Sequence, residues 1–307
     1  MGKKTKLAVA IAAASAAAWA GSKAVAKPQK REQKEVLDFE RTIVFAHHGG
    51  AQIAPAHTLP AFEKSAEMGV DGFTVCIRLT KDEEIVLYHN EKVDDTSNGV
   101  GYIKDLTLAE LNELNHGTQF VSLDGEQPYK NDQLKCITLR EIISAYPEHL
   151  FIIDIKDGPD TYEGSLMPSK LWRLVEELGA ENRIIVTSDY SEQTDRFNLY
   201  ARNGVALAGS ENETKKVMAT YTSQFGHLYN PKVDVLLTPA KSGVFSFEAP
   251  KFISFLSNLN VGIIYKDVND LTSMNRLARL GAKGLVTDRP DLAKVIIEKL
   301  NKQLTTN

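Results

Sequence analysis

The segment LTSMNRLARLGAKGLVT, residues 271–287, contains the pattern that decides the fold. Its apolar residues recur every three or four positions from Leu271 to Leu280, which predicts an amphipathic helix. Gly281 stands where a left-handed residue commonly ends a helix, and the short run Gly284–Thr287 then predicts a buried strand. A helix followed closely by a strand is the repeating unit of a parallel α/β fold.

The same alternation extends outward from this segment to residue 42. The predicted strands are Thr42–His47, Gly72–Leu79, Leu150–Lys156, Arg183–Ser188, Val205–Gly209, Val233–Thr238, Val261–Tyr265 and Gly284–Thr287. The helical patterns are Leu59–Met68, Leu139–Tyr146, Ser169–Leu178, Gln193–Arg202, Glu213–Tyr221, Ala249–Leu259, Leu271–Leu280 and Leu292–Leu300, and Gly69, Gly179 and Gly204 are predicted to end helices as Gly281 does. Eight strand–helix repeats predict a closed (β/α)₈, or TIM, barrel, and no Gly-x-Gly-x-x-Gly dinucleotide motif follows the first strand.

One segment, Thr80 to Thr138, interrupts the alternation after the second strand. It contains a strand-like run at Ile85–His89, a turn at Asn98-Gly99 and a helix-like stretch at Leu106–Leu114. Loops that follow barrel strands lie at the active-site face, so we expect this insertion to cover the substrate.

Composition narrows the class of protein. The chain has 307 residues, 43% of them hydrophobic and 25% charged, as in an ordinary globular protein. A net charge of −4 and a pI near 6.0 give no sign of a nucleic-acid-binding protein. The two cysteines, Cys76 and Cys136, are too few for a disulfide framework and are predicted to be reduced core thiols.

The amino terminus predicts export. Lys3, Lys4 and Lys6 precede an apolar run, Leu7–Gly21, and Ala24-x-Ala26 has the small-residue spacing of a signal-peptidase site. Residues 1–26 are therefore predicted to be a signal peptide or an uncleaved membrane anchor. Residues 27–40 are charged and predicted to be a linker, and residues 41–300 to form the barrel.

The carboxyl ends of barrel strands, where catalytic residues collect, carry polar side chains here. His47-His48-Gly49-Gly50 follows the first strand, while Thr74, Cys76 and Arg78 are spaced by two along the second and so share a face. Asp154 and Lys156, at the end of the third strand, are also spaced by two and share a face. Ser188 ends the fourth strand, and Lys266-Asp267 follows the seventh. His89-Asn90 comes from the insertion.

These residues lie within motifs that resemble the glycerophosphodiester phosphodiesterase family, in order from residue 42 to 295. The family reads His-Arg-Gly, Pro-Glu-Asn-Thr-Leu-x-Ala-Phe, Gly-Ala-Asp followed by Glu-x-Asp and Leu-Thr-Lys-Asp, Val-His-Asp, and Thr-Thr-Asn-Gly-x-Gly. The corresponding stretches are AHHG (46–49), PAHTLPAF (55–62), GVDGFTVCIRLTKD (69–82), VLYHN (86–90) and TSNGVG (96–101). TLRE (138–141) and DIK (154–156) follow in the family's order, and GAKGLVTDRP (281–290) is close to its closing motif.

The resemblance implies a TIM barrel that hydrolyses phosphodiesters, and it implies roles for several residues. His47 and His89 match the family's pair of acid–base histidines. Lys156 matches the basic residue placed near the phosphate. An imidazole can accept or donate a proton near neutral pH, which suits both halves of diester cleavage.

The family is also expected to bind a divalent cation, Ca²⁺ or Mg²⁺, through four carboxylates. At those positions this sequence has Ala56, Thr74, Cys76 and Asp154, so three carboxylates are lost. Asp154, helped by Thr74, is the remaining candidate for weak binding of a hard cation. A diesterase with reduced or no metal dependence would then neutralise the phosphoryl oxygens with Arg78 and Lys156.

Other departures affect the predicted site. His48 and His57 replace the family's Arg and Asn and are predicted to be solvated loop residues; together with Cys76 and Asp154 they could alternatively form a Zn²⁺ site. Lys266-Asp267 replaces Trp-Thr in the substrate wall, and Asp288 and Arg289 match the family and are predicted to fix the last turn.

Three functions stay open from the sequence. The first is an exported hydrolase of glycerophosphodiesters or of glycerol-phosphate diesters of the cell envelope, small or polymeric, acting in the envelope or outside the cell. The second is an inactive family member that binds phosphorylated envelope polymers or lipids, with a peripheral association with the membrane or cell wall. The third is a structural or partner-binding barrel.

Overall fold

The predicted strands form a closed parallel barrel in the computed structural model, which describes residues 17–26 and 28–305. The strands are β1 Ile43–His47, β2 Gly72–Leu79, β3 Ile85–Leu87, β4 Leu150–Ile155, β5 Ile184–Thr187, β6 Ala206–Gly209, β7 Val235–Thr238, β8 Lys241–Ser242, β9 Phe245–Ser246, β10 Gly262–Tyr265 and β11 Gly284–Thr287. The parallel order is β1-β2-β4-β5-β6-β7-β10-β11, and β11 pairs with β1 to close the ring. The predicted TIM barrel is confirmed.

The helices pack around this ring. They are α1 Leu59–Glu67, α2 Leu108–Asn112, α3 Leu139–Ala145, α4 Tyr162–Glu177, α5 Ser191–Ala201, α6 Glu211–Thr222, α7 Pro250–Ser257, α8 Leu271–Arg279 and α9 Pro290–Thr305. Helix α4 begins earlier than the predicted Ser169 because the Thr161 hydroxyl accepts a hydrogen bond from the Gly164 amide at 3.0 Å. Pro168 lies inside this helix.

The predicted glycine helix ends are correct at three positions and wrong at one. Gly69, Gly179 and Gly281 have φ values of 80°, 56° and 85°. Gly204 does not serve in this way, because Arg202 and Asn203 take the left-handed conformation after α5, with φ of 49° and 62°. The Asn203 amide donates to the Asn198 side chain at 3.0 Å, which compensates locally for a conformation that non-glycine residues rarely adopt.

Side chains alternate along each strand between the layer under the helices and the barrel interior, so the barrel has two apolar layers. Polar side chains lie at one end of the barrel. On β2, Phe73, Val75 and Ile77 belong to the cluster under the helices. Thr74 and Cys76 point to the interior side, where their neighbours in register on β4 are Ile152 and Asp154. The lower interior is filled by apolar residues such as Phe45 and Ile152, so polar groups reach the interior only near the carboxyl ends of the strands.

The amino-terminal end of the barrel is closed by part of the predicted linker. Residues Glu35–Leu37 form a short 3₁₀ helix whose Val36 and Leu37 are buried in the interior cluster with Phe45. Arg31 pairs with the buried carboxylate of Asp234 at 2.8 Å. These residues therefore belong to the barrel, which corrects the prediction of a tether extending to residue 40.

The predicted export signal lies largely outside the described residues, which begin at residue 17. Residues 17–25 form a helix, in which the Trp19 indole donates to the Gln224 carbonyl at 3.0 Å and Ser22 bonds the His227 ring at 2.8 Å. Within the part of the chain that the structure describes, no helix has both the length and the apolar character needed to cross a bilayer.

The insertion is a folded unit attached to an extended β2. Strand β2 pairs with β1 only through Thr74, and its last residues, Ile77–Leu79, pair instead with antiparallel β3. The insertion has its own apolar cluster, consisting of Val86, Tyr88, Val93, Ile103, Leu111 and Cys136. Since β3 runs back toward the barrel, the Tyr88 amide bonds the Cys76 carbonyl at 2.9 Å, and the next residue, His89, arrives at the barrel mouth.

Candidate active site

A cavity of about 330 Å³ opens at the carboxyl ends of the strands. It is lined by His47, His48, Thr74, Val75, Cys76, His89, Ile152, Asp154, Lys156, Thr187, Ser188, Asp189, Ser210, Glu211, Leu237, Lys266, Asp267 and Val286. The structure thus brings His47, His89 and Lys156 to one cavity, together with Thr74, Cys76 and Asp154. Its size is within the range of small-molecule sites.

His47, the last residue of β1, is held by a chain of hydrogen bonds from the end of the barrel. Its Nδ1 lies 2.7 Å from Asp288 Oδ1, and Asn269 donates to the other carboxylate oxygen at 2.9 Å. Burial alone would raise the pKa of Asp288, but the hydrogen bonds from His47 and Asn269 lower it, so the group is a carboxylate. An ionised carboxylate only accepts, so Nδ1 of His47 donates, and a neutral ring leaves its Nε2 lone pair free.

His89 is oriented by a parallel arrangement in the insertion. Its Nδ1 lies 2.8 Å from Asn90 Oδ1, and the amide group of Asn90 donates to Asp95 at 2.7 Å. That second bond fixes which end of the Asn90 amide faces the ring, so His89 also donates from Nδ1. No hydrogen bond from the described residues reaches Nε2 of either ring.

Arg78, predicted to bind the substrate phosphate, is directed elsewhere. Its guanidinium donates to the His89 carbonyl at 2.9 and 3.1 Å and to Asp157 at 3.0 Å. Asp157 in turn accepts from the Leu79 amide at 2.9 Å. Arg78 is absent from the wall of the main cavity and contacts a smaller neighbouring one, so its contacts secure the backbone that carries His89.

Lys156 has two carboxylate neighbours at the mouth. Its Nζ lies 2.7 Å from Asp154 Oδ2 and 3.2 Å from Asp189 Oδ2. Burial alone would lower the pKa of Lys156, but the charge and hydrogen bond of Asp154, with the charges of Cys76 and Asp189, together raise it above the usual value for lysine. Lys156 is therefore a permanent cation in this cavity.

His48 and His57 are buried, with 9% and 7% exposure, which overturns their prediction as solvated loop residues. Their ring centroids are 4.2 Å apart, and His48 also stacks on His47 at 3.7 Å. The Cys76 Sγ lies 3.2 Å from His48 Nε2, and the Cys76 amide donates to His57 Nε2 at 3.1 Å. Burial lowers the pKa of both histidines well below the usual value and raises that of the Cys76 thiol, so this group is neutral.

The residues at the family's metal positions do not fit a hard cation. Ala56 has no ligand atom, Cys76 offers sulfur, and the Thr74 hydroxyl is buried beside the His48 amide at 3.4 Å. Asp154 supplies the single carboxylate, and one of its oxygens is already bound to Lys156. Ca²⁺ needs six to eight oxygen ligands and Mg²⁺ a near-octahedral set, so neither has a site of that kind here.

The opposite wall is rich in carboxylates, and two of them, Asp189 and Glu211, were not indicated by the sequence. They line the cavity with Asp154 and with Asp267, which was predicted in the substrate wall, against the two ammonium groups of Lys156 and Lys266. A further missed residue is Asp288, which was predicted only to fix a turn and instead bonds His47. Its place one residue after a barrel strand was a usable signal, since strand ends supply catalytic groups.

Comparison with known proteins gives a consistent family. The model of the family described as "Glycerophosphoryl diester phosphodiesterase family" matches residues 47–292. The chain is 30% identical over 261 residues to a glycerophosphodiester phosphodiesterase of Caldanaerobacter subterraneus, covering 84% of this chain and 99% of that protein. It is 28% identical to a Bacillus subtilis protein of the same name, covering 84% of this chain and 87% of that one.

Solved structures show the same fold. The glycerophosphoryl diester phosphodiesterase domain of an uncharacterised Mycobacterium tuberculosis protein aligns with a TM-score of 0.73 at 18% identity, covering 83% of this chain and 98% of that one. An Oleispira antarctica phosphodiesterase, solved with the product sn-glycerol-3-phosphate, aligns with a TM-score of 0.64 at 18% identity, covering 84% and 97%.

Proposed function

Because this chain belongs to the glycerophosphoryl diester phosphodiesterase family, we propose that it hydrolyses glycerophosphodiesters with His47 and His89 as its acid–base pair. The observation that carries the proposal is the meeting of His47, His89 and Lys156 at one cavity, although they come from β1, from the insertion and from the end of β4. Convergence of polar groups from separate elements on one pocket is the usual basis for proposing a binding or active site.

The hydrogen bonds of the two histidines suit proton transfer. Each ring is fixed through Nδ1, His47 by Asp288 and His89 by Asn90, which leaves both Nε2 atoms for substrate. Cleavage needs one ring to remove a proton from the attacking hydroxyl and the other to protonate the departing alkoxide oxygen. Such acid–base catalysis typically contributes ~10²–10⁴-fold to the rate.

Lys156 supplies the positive charge for the phosphoryl oxygens in this proposal. It is cationic, it lines the cavity, and one of its two partners, Asp189, is largely exposed and free to turn away. Arg78 acts through His89 rather than on phosphate, since its guanidinium binds the His89 carbonyl. We propose that hydrolysis does not depend on Ca²⁺ or Mg²⁺, because three of the family's four carboxylate ligands are replaced.

A second candidate function is binding without turnover. The charge of the cavity wall favours this function, since four carboxylates face two ammonium groups there. Three of the family's four metal-binding carboxylates are also missing. This wall would poorly neutralise the negative charge of the phosphate in the transition state of cleavage. The protein would then bind glycerol-phosphate groups without cleaving them.

The substrate class and location belong to the same proposal. The lysine-flanked apolar amino terminus supports export, and an exported member would meet glycerol-phosphate diesters of the envelope, small or polymeric. A related phosphodiesterase retains sn-glycerol-3-phosphate in its solved complex, which supports a glycerol-phosphate group in this cavity as well.

The test is hydrolysis of glycerophosphocholine, glycerophosphoglycerol and a glycerol-phosphate polymer by the purified chain, with and without added Ca²⁺ or Mg²⁺. We expect release of glycerol phosphate that neither cation increases and that His47→Ala abolishes. Equal turnover by His47→Ala would end the acid–base proposal. Saturable binding of these compounds without hydrolysis would establish the second candidate in its place.

A further inference from the structure

Three soft donor groups meet beneath the cavity where the family pattern has hard ligands. One ligand atom each from His48, His57 and Cys76 lies within 4.8 Å of the others. The shortest separation, Cys76 Sγ to His48 Nε2, is 3.2 Å. Two atoms that share a tetrahedral Zn²⁺ ion at the usual Zn–S and Zn–N lengths are about 3.5 Å apart, so a small movement would admit the ion.

A fourth candidate donor lies on the neighbouring strand, outside the group of three whose ligand atoms are mutually within 4.8 Å. Asp154 is the register neighbour of Cys76 on β4, and its Oδ2 binds Lys156. Its Oδ1 is buried and has no hydrogen-bond partner among the described residues. Buried carboxylate oxygens are ordinarily satisfied, so an unpartnered one on the strand next to Cys76 is available to turn toward an ion held by the three donors.

The backbone is arranged to bring the two imidazoles inward. His48 and His57 both have left-handed φ values, 51° and 59°, which non-glycine residues rarely adopt. The His57 amide bonds the His48 carbonyl at 2.9 Å, so the two turns are locked to each other. Both rings are thereby buried against β2 instead of facing solvent.

From this geometry we propose that His48, His57 and Cys76 bind one Zn²⁺ ion, with Asp154 as the fourth ligand. Imidazole nitrogen and thiolate sulfur favour zinc over Ca²⁺ or Mg²⁺, and thiolate, carboxylate and two neutral imidazoles together balance the charge of the ion. The ion would add positive charge to a cavity wall in which carboxylates outnumber ammonium groups. The proposal does not rest on hydrolysis and stands even if the protein only binds phosphate.

One contact in the structure opposes zinc at His57. Its Nε2 accepts the Cys76 amide at 3.1 Å, so coordination through that atom must break this hydrogen bond. His57 therefore offers a sharp test, because a glutamine can reach the same amide and accept its hydrogen bond but is a poor zinc ligand. His57→Gln should preserve the hydrogen bond to the Cys76 amide of β2 while weakening zinc binding by more than about tenfold.

The experiment uses the full chain, freed of metal with a chelator, and titrates it with ZnCl₂, CaCl₂ and MgCl₂ by calorimetry and thermal unfolding. We expect one equivalent of Zn²⁺ to bind and raise the melting temperature, with no shift from the other two cations. CoCl₂ as a substitute should give a thiolate-to-metal absorption band. That band should be lost in Cys76→Ser and kept in Cys136→Ser, whose thiol is buried in the separate insertion cluster.

Two results would overturn the proposal: no saturable Zn²⁺ binding near one equivalent, or a cobalt band that survives in Cys76→Ser. If Cys76→Ser does not fold, zinc binding by His57→Gln decides the question. An unchanged zinc affinity in that variant would show that His57 is not a ligand and would overturn the proposed ligand set. Hydrolysis is measured separately, so a protein that turns over substrate but ignores zinc defeats this proposal alone.

Discussion

The cavity wall has two parts that differ in charge and exposure. The first part, His47, His89 and Lys156, follows the family pattern, and each side chain there is ionised or bonded to a charged or polar partner near solvent. The second part, His48, His57 and Cys76, departs from that pattern and is buried and neutral. The two parts touch, since the rings of His47 and His48 stack at 3.7 Å.

Under the two proposals made above, the site has changed its cation and kept its proton-transfer groups. At the altered positions, Ala56 and the two imidazoles of His48 and His57 line a second cavity of about 240 Å³ next to the main one. The orienting contacts of His47 and His89 come from Asp288 and Asn90, which lie outside the altered part. The predictions below test whether the two parts are independent.

The largest expected effect is on turnover from the first part. His89→Gln should lower kcat by ~10²–10⁴-fold, because glutamine has no group that exchanges a proton near neutral pH. The measurement is release of glycerol phosphate, with His149→Gln as the control, since that histidine stacks on Phe73 near the start of β4, away from the mouth. Comparable activity in the two variants would contradict a chemical role for His89.

The next prediction restores hard ligands to the second part. The triple variant Ala56→Glu, Thr74→Glu, Cys76→Asp should be less stable than the parent without metal, because three added carboxylates would repel Asp154 in a partly buried space. Ca²⁺ at 100 times its Kd should then stabilise it by about 2.7 kcal/mol. Thermal unfolding with and without CaCl₂ measures this, and an equal Ca²⁺ shift in the parent would mean that the parent already has the site.

A smaller loss is expected when the orienting group of His47 is removed. Asp288→Asn should lower kcat by roughly 10–100-fold with little change in KM, because the amide no longer holds the Nδ1–H tautomer as firmly. Asp291→Asn is the matched control, since Asp291 lies in the same turn and pairs with Arg289 at 2.6 Å. Equal loss of activity in both variants would show that the loss comes from disturbing the local backbone and not from removing the contact between Asp288 and His47.

The smallest expected effect is a pH dependence of the insertion that carries His89. Burial lowers the pKa of His116, whose Nε2 donates to the Leu111 carbonyl at 2.8 Å. Below about pH 6.5 this histidine is protonated in the unfolded chain but stays neutral in the folded one. The free energy of unfolding therefore falls as the pH falls, by at most about 1.4 kcal/mol per pH unit for this group. Urea unfolding between about pH 7 and pH 5 measures the slope.

His116→Gln is the comparison for that slope. Glutamine can donate to the Leu111 carbonyl but does not titrate, so the variant should show a shallower dependence on pH than the parent. An unchanged slope would assign the acid sensitivity to the other buried histidines, such as those of the second part.

Periodicity and motif order determined much of this protein from the sequence. The helix–glycine–strand unit of residues 271–287 predicted the barrel, because burial of one helix face and of a whole strand leaves a signal along the chain. The strand ends indicated His47, Thr74, Cys76, Asp154 and Lys156, since a parallel barrel gathers those ends at one mouth.

Only the tertiary structure decided which of these side chains face the cavity and what fixes them. Arg78 shares a strand face with Thr74 and Cys76, yet it binds the His89 carbonyl because β2 extends past β1 and pairs with β3. His48 and His57 are buried because two left-handed turns rotate them inward, and Asp288 reaches His47 because the barrel closes on itself. These contacts join residues far apart in the chain, and no local pattern encodes the distance between them.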